Sequence, residues 1–205
     1  PDTTKRYIST TMRYSLIFAA AIAVVFAANP RDLLDIPYSS DYASIGAMAL
    51  VGLALGNVAF SIFVIAGTIL NGAGNTRDAI VTAGVTLVLA AVSNAVVIPR
   101  FDPGPELLLA CACATGGSML AGAILGGVFL RKRFGAFVPA ATVIRVLIAG
   151  AAAIGAGRVI PASSALMVLA EATAIGILFV VVLVASRELT MKDLRSFTGV
   201  LGKEK

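Results

Sequence analysis

The sequence predicts an all-α fold, an integral membrane bundle of six antiparallel transmembrane helices. Of its 205 residues, 59% are apolar and only 13% are charged, and the mean hydropathy is +0.95. A soluble domain is about 45–50% apolar and about 25% charged. Six apolar segments follow one another, each near or above the roughly 20 residues that cross about 30 Å of hydrocarbon. We therefore exclude an ordinary soluble domain.

Turn and charge signals bound the six segments. The predicted spans are 5–28, 43–70, 76–98, 105–130, 138–157 and 163–186. Asn29-Pro30-Arg31-Asp32 ends the first span, and a loop leads to the second. Asn75 is the expected N-cap of the third span, and Pro99 stops that span. Residues 1–187 are thus predicted to form one six-helix transmembrane domain.

The basic residues predict the orientation. Short connections make neighbouring helices antiparallel, so the loops alternate between the two sides. An internal N-terminus leaves only Arg31, Arg100 and Arg158 in external loops, and Arg145 within a helix. The other twelve basic residues are then internal, as the positive-inside rule requires. We expect both termini of this segment to be cytoplasmic, and the net charge of +5 reflects topology rather than nucleic-acid binding.

Residues 188–205 are predicted to form a cytoplasmic amphipathic tail. Leu194, Phe197 and Leu201 repeat at three and four residues and make one apolar stripe beside basic residues. A short helix lying on the membrane surface fits this pattern, and a frayed helix end is the alternative.

The chain carries no pattern typical of an enzyme. It contains no His, which removes the commonest metal ligand and proton carrier. Cys111 and Cys113 lie two apart on a predicted helix and so point to different faces. Without a phosphate-binding loop or a nucleophile–base pair, we predict no catalytic, cofactor or metal site.

Polar side chains share one face on each of two predicted helices. They are Asn57, Ser61, Thr68 and Asn71 on the second span, and Thr82, Thr86 and Ser93 on the third. Such faces line an aqueous cavity or bind neighbouring helices through hydrogen bonds, and both interpretations stay open. Small residues at GxxxG spacing, Gly52–Gly56 and Gly122–Gly126, predict close helix packing instead.

Three ionisable residues are predicted within the spans: Arg13, Arg145 and Glu171. A charge at the bilayer centre costs at least about 2.5–3.5 kcal/mol, so these side chains should face protein or water. One interpretation is a cavity lined by cations and one carboxylate. The other is that Arg145 reaches the headgroups and Glu171 has a structural partner.

The order of the turn residues resembles a known family. Ile69-Leu70-Asn71-Gly72-Ala73-Gly74-Asn75-Thr76-Arg77, Gly104-Pro105-Glu106, Leu130-Arg131-Lys132-Arg133-Phe134-Gly135 and Arg145-Val146-Leu147 stand in this order. The pattern resembles the carboxy-terminal half of a polysaccharide flippase of the multidrug/oligosaccharidyl-lipid/polysaccharide exporter superfamily.

The resemblance implies export of lipid-linked oligosaccharides across a prokaryotic inner membrane by alternating access. Such transporters have two lobes around a central cavity. The chain begins with Pro1 rather than Met, and we expect it to be one lobe whose partners are membrane lipid, the lipid-linked glycan and a missing amino-terminal lobe. Arg13 and Arg145 are candidates for head-group contact, and Glu171 for coupling to an ion gradient. The alternatives are a drug/cation antiporter of the same superfamily and a non-transporting scaffold subunit.

Overall fold

A computed structural model describes residues 2–158 and 164–189, and these residues fold into a helical bundle. The helices are α1 (Asp2–Ala28), α2 (Pro30–Asp35), α3 (Ser40–Gly72), α4 (Thr76–Val97), α5 (Pro105–Phe134), α6 (Ala140–Gly157) and α7 (Ala165–Ala185), with a 3₁₀ turn at Ile98–Arg100. Within the described residues, six helices are long and apolar enough to cross a membrane. The predicted all-α membrane bundle is confirmed.

The helix that corresponds to the second predicted span, 43–70, is longer than predicted. Helix α3 has 33 residues and therefore measures about 50 Å at 1.5 Å per residue, well beyond the hydrocarbon thickness. The loop predicted before α3 is wrong in part, because Pro30–Asp35 forms the short helix α2. Pro30 stands at the start of that helix, where its fixed φ and missing N–H are tolerated.

Helix α1 lies between two groups of helices. It packs against α6 and α7 on one side and against α3 on the other, while α5 packs against both α3 and α4. The core includes Met12, Leu70, Leu130 and Phe179, all fully buried. The bundle is thus built around α1, which carries one of the predicted intramembrane charges.

Close packing of α3 on α5 depends on small residues, as the GxxxG spacing predicts. A Cβ atom added at Gly56 would lie 2.8 Å from the Cα of Gly116. One added at Gly126 would lie 2.9 Å from the Cβ of Ala66. These helices could not approach as closely with larger side chains at these positions.

The antiparallel order gives the bundle two ends. We call one the Asp2 end, where α1, α4 and α6 begin and α3, α5 and α7 end, and the other the Asn29 end. At the Asp2 end, Arg133 at the end of α5 binds Asp78 at the start of α4, with 2.8 Å between Nε and Oδ2. That the Asp2 end faces the cytoplasm stays a prediction from its basic residues.

Candidate functional site

A cluster of charged side chains joins α1, α6 and the turn after α7 at the Asp2 end. The Glu188 carboxylate accepts hydrogen bonds from Thr142 (Oγ1 to Oε1, 2.6 Å) and Arg145 (Nη1 to Oε2, 2.6 Å). Arg13 Nε lies 2.8 Å from Glu188 Oε1, and Arg13 also donates to the Glu188 carbonyl. Side chains from two helices therefore hold Glu188, α6 through hydrogen bonds to its carboxylate and α1 through an ion pair and a bond to its carbonyl.

The turn after α7 places Glu188 in this cluster. Arg187 has a φ of 57°, a left-handed conformation that commonly ends helices. The Glu188 N–H then donates to the Leu183 carbonyl at 2.9 Å. This turn directs Glu188 back into the bundle, where its side chain is only 3% exposed. Leu189 is buried as well, although the sequence predicts that both residues belong to the amphipathic tail. The rest of that tail, 190–205, lies outside the described residues.

The pKa of Glu188 lies below its ordinary value of 4.5. Burial acts in the opposite direction, because it disfavours the charged carboxylate. The hydrogen bonds from Thr142 and Arg145 and the positive charges of Arg13 and Arg145 together outweigh burial. Glu188 is therefore ionised at neutral pH, and the cluster combines two guanidiniums with one carboxylate.

Glu188 is the residue of this cluster that sequence reasoning missed. It lies beyond the last span and is separated in sequence from Arg145 by 43 residues and from Arg13 by 175. One signal was available. A carboxylate directly after a helix C-terminus opposes the helix dipole, so its position calls for cationic partners elsewhere in the fold.

A second buried carboxylate lies at the Asn29 end. Glu171 on α7 is 6% exposed, and Asn29 donates from its amide group both to Glu171 Oε1 and, at 3.0 Å, to the Gly157 carbonyl. Among the described residues, Glu171 Oε2 is buried and has no hydrogen-bond partner. The C-termini of α1 and α6 converge here, and their carbonyl groups make the site electronegative.

The predicted cavity shared by Arg13, Arg145 and Glu171 is not formed by the described residues. Arg13 and Arg145 meet at Glu188, whereas Glu171 meets Asn29. Arg13 and Asn29 are 16 positions apart on or next to α1, which corresponds to about 24 Å along the helix. The three charges thus belong to two sites at opposite ends of the bundle.

The two polar faces have different environments. On α3, Asn57 and Thr68 are exposed and Ser61 is half-buried. Ser61 and Thr68 donate to the carbonyls four residues earlier, both at 2.9 Å. This face is turned away from the bundle core and is open on its surface.

The face on α4 is turned toward α5 instead. Thr82 and Thr86 are buried, and Thr86 lies where a side chain at Gly122 would stand. The Ser93 hydroxyl lies 3.2 Å from that of Ser118 on α5. The polar face of α4 therefore serves contact between helices, the second of the two interpretations, and does not line a cavity among the described residues.

Grooves interrupt the surface of the described bundle. An apolar one of about 410 Å³ lies between α1, α3 and α6. Another, of about 300 Å³, lies between α1, α3 and α5, and its lining includes Asn57, Phe26 and Met119. Asn57, on the α3 polar face, therefore reaches a concave surface.

Comparison with known proteins gives one match. Residues 1–96 match the MatE family, which covers α1, α2, α3 and α4 up to its penultimate residue. No curated protein and no solved structure matches the chain. The match covers just under half of the sequence.

Proposed function

We propose that this chain is one lobe of a transporter that flips lipid-linked oligosaccharide or polysaccharide precursors across a prokaryotic inner membrane. The observation that carries the proposal is the MatE match over residues 1–96, together with six helices able to cross a membrane. The choice of a glycan-lipid rests on the resemblance at Leu130–Gly135 and Arg145-Val146-Leu147. An amino-terminal lobe would complete the cavity, and alternating access would expose it to each side in turn.

The exposed face of α3 is the part of this lobe that we assign to the cavity. Asn57, Ser61 and Thr68 present polar groups on a surface that the described helices leave uncovered. Hydroxyl and amide groups can bind sugar hydroxyls without the cost of burying a charge. Arg145 supports phosphate contact less directly, because Glu188 already binds its guanidinium.

Deletion of the gene for the full-length protein tests the proposal. The expected result is loss of surface glycan and accumulation of the lipid-linked precursor in the cytoplasmic leaflet, both reversed by a plasmid copy. A strain with normal glycan and no accumulated precursor, in a background without a second flippase, would contradict it.

Glu171 favours a second candidate, a drug/cation antiporter. A buried carboxylate with one unbonded oxygen among the described residues could bind a proton or a monovalent cation during transport. In an antiporter, deletion of the gene would raise drug sensitivity and leave glycan export intact. This outcome separates the two candidates in the same strain.

The same residue could couple either activity to an ion gradient. Glu171→Gln keeps the shape and removes the charge, so we expect a loss of gradient-dependent transport on the order of tenfold, the equivalent of about 1.4 kcal/mol, with unchanged abundance in the membrane. Glu106→Gln, an exposed carboxylate at the start of α5, is the matched control. Equal transport by both variants would make Glu171 a structural residue.

A further inference from the structure

The Arg13–Thr142–Arg145 cluster has the form of an oxyanion-binding site. Thr142 and Arg145 on α6 donate hydrogen bonds of 2.6 Å to one carboxylate, and Arg13 on α1 forms an ion pair with it at 2.8 Å. Two guanidiniums and a hydroxyl are also the donors that bind phosphate groups, since guanidinium forks match phosphate oxygens in geometry. The chain itself supplies the present occupant, Glu188.

The two arginines remain accessible from outside the bundle. The Arg145 side chain is 41% exposed and that of Arg13 is 28% exposed, whereas Glu188 is 3% exposed. Glu188 is thus the buried member of the cluster, and both guanidiniums keep exposed surface. A guanidinium has five N–H donors, so Arg145 can bind a second anion before Glu188 leaves.

The position of the cluster along the helices identifies the anion. Arg13 precedes the apolar part of α1, which starts at Tyr14, and Arg145 lies in the second turn of α6. Glu188 follows the end of α7 by three residues. Taken together, these positions put the cluster near the boundary between hydrocarbon and headgroups. The abundant oxyanion there is the phosphate of a phospholipid, and in an anionic phospholipid no cation of the same headgroup neutralises it.

The occupant is held by a turn of low intrinsic stability. Arg187 has a φ of 57°, a left-handed conformation that is unfavourable for a residue with a side chain. The contacts of Glu188 and Leu189 compensate for this cost. When these contacts are lost, the turn after α7 has little reason to keep its conformation.

We infer that the cluster is a lipid-responsive latch, in which the phosphate of an anionic phospholipid competes with Glu188 for Arg13 and Arg145. With Glu188 bound, the turn after α7 is fastened to α1 and α6. With the phosphate bound, Glu188 and Leu189 leave the cluster and the turn is released. The latch is independent of the transported substrate, and it links the lipid composition of one leaflet to the end of α7.

Cysteine labelling at position 189 tests the latch. The full chain carries Leu189→Cys with Cys111 and Cys113 replaced by Ala, and its labelling by a maleimide is followed in lipid nanodiscs. We expect phosphatidylglycerol to raise the labelling rate roughly fivefold over phosphatidylcholine, the factor equivalent to about 1 kcal/mol per basic residue at an anionic surface. Ala136→Cys, also buried at the Asp2 end, is the control whose rate should not change.

Two further variants, each combined with Leu189→Cys, locate the effect. With Glu188→Gln, the thiol at position 189 should label fast in both lipids, and with Arg145→Gln the response to phosphatidylglycerol should be lost. Equal labelling in both lipids, or an equal rise in the Ala136→Cys control, would overturn the inference. Release by inorganic pyrophosphate in phosphatidylcholine discs, without release by phosphatidylglycerol, would overturn the assignment to lipid.

A stability measurement keeps the inference testable if Leu189→Cys does not fold. Glu188→Gln leaves two arginines without their carboxylate, so its thermal midpoint should fall in phosphatidylcholine. An anionic lipid that takes the vacant site should restore part of that loss. The same deficit in both lipids would contradict the latch.

Discussion

Glu188 is the acidic partner of Arg13 and Arg145 at the Asp2 end. The sequence marks Arg13 and Arg145 as expensive charges in or near the spans, and the structure neutralises one of their two charges with a carboxylate from the turn after α7. Composition and hydropathy could not reveal this pairing, because it depends on three helices meeting at one level. Hydropathy and composition therefore do not predict the position of Glu188, which lies outside the apolar segments.

The pH dependence of stability follows from Glu188. Its pKa is lowered in the folded state, so between the folded and unfolded pKa values the unfolded chain binds more protons, and stability increases with pH. The contribution of ionised Glu188 to the free energy of unfolding is complete when the pH is above the ordinary pKa of 4.5. It is lost as the pH falls through the pKa of Glu188 in the folded state. We expect the thermal midpoint in detergent to fall when the pH is lowered from about 6 to below about 4.

Glu188→Gln is the control for this titration. At neutral pH we expect it to lower the free energy of unfolding by about 1–3 kcal/mol, less than for a fully buried pair because both arginines can regain water. Its acid-induced loss should be smaller than that of the wild type. An equal loss in both proteins would assign the titration to other carboxylates.

Arg187 tests the strain in the same turn. Arg187→Gly removes the side-chain clash at φ 57°, which we expect to stabilise the protein by about 0.5–1 kcal/mol after the added flexibility of the unfolded chain is subtracted. Ser186→Gly is the control, because Ser186 has a φ of −77° and gains nothing from glycine. It also loses the hydrogen bond from its hydroxyl to the Leu183 carbonyl, so its stability should fall. Denaturant titration of both variants measures the difference, and a loss of stability in Arg187→Gly would exclude strain at this position.

At the scale of whole elements, hydropathy predicts the helices and small residues predict one interface. Pro99 and Pro105 bound α4 and α5 as expected, and Gly52–Gly56 lies against α5. The short helix α2 was not predicted, because six residues carry too little periodicity to identify. Asn75 stands at the N-cap of α4 but makes no capping hydrogen bond with its side chain; its amide donates to the Ala73 carbonyl instead.

The α3–α5 interface gives a prediction at this scale. Gly56→Leu places a side chain against the Gly116 backbone, and we expect a loss of about 2–3 kcal/mol through overpacking. Gly67→Leu on the same helix is the matched control, since no atom lies within 4 Å of a Cβ added there. Thermal unfolding in detergent should separate the two variants; equal midpoints would mean that α3 and α5 do not pack through Gly56.

At the scale of the whole molecule, composition alone predicts a membrane bundle, but it does not predict how the charges are shared between the two ends. The apolar content and the six spans follow from the solvent that the helices must face. The division into a Glu188 cluster and a Glu171–Asn29 site follows from helix register and from contacts between distant residues. The polar face of α3, by contrast, could be identified from spacing, and we propose it as the surface that a second lobe would complete.

Reconstitution of the full-length protein tests the central claim most directly. Proteoliposomes are loaded with a fluorescent lipid-linked oligosaccharide, and a membrane-impermeant quencher measures how much of it moves from the inner to the outer leaflet. About half of the labelled lipid lies in the outer leaflet at the start and is quenched at once. We expect the protein to raise the quenched fraction above this half, and Asn57→Leu to slow the rise at equal protein content. Quenching that stays at the level of protein-free liposomes, in a sample that still transports a cationic drug, would contradict the assignment as a glycan-lipid flippase.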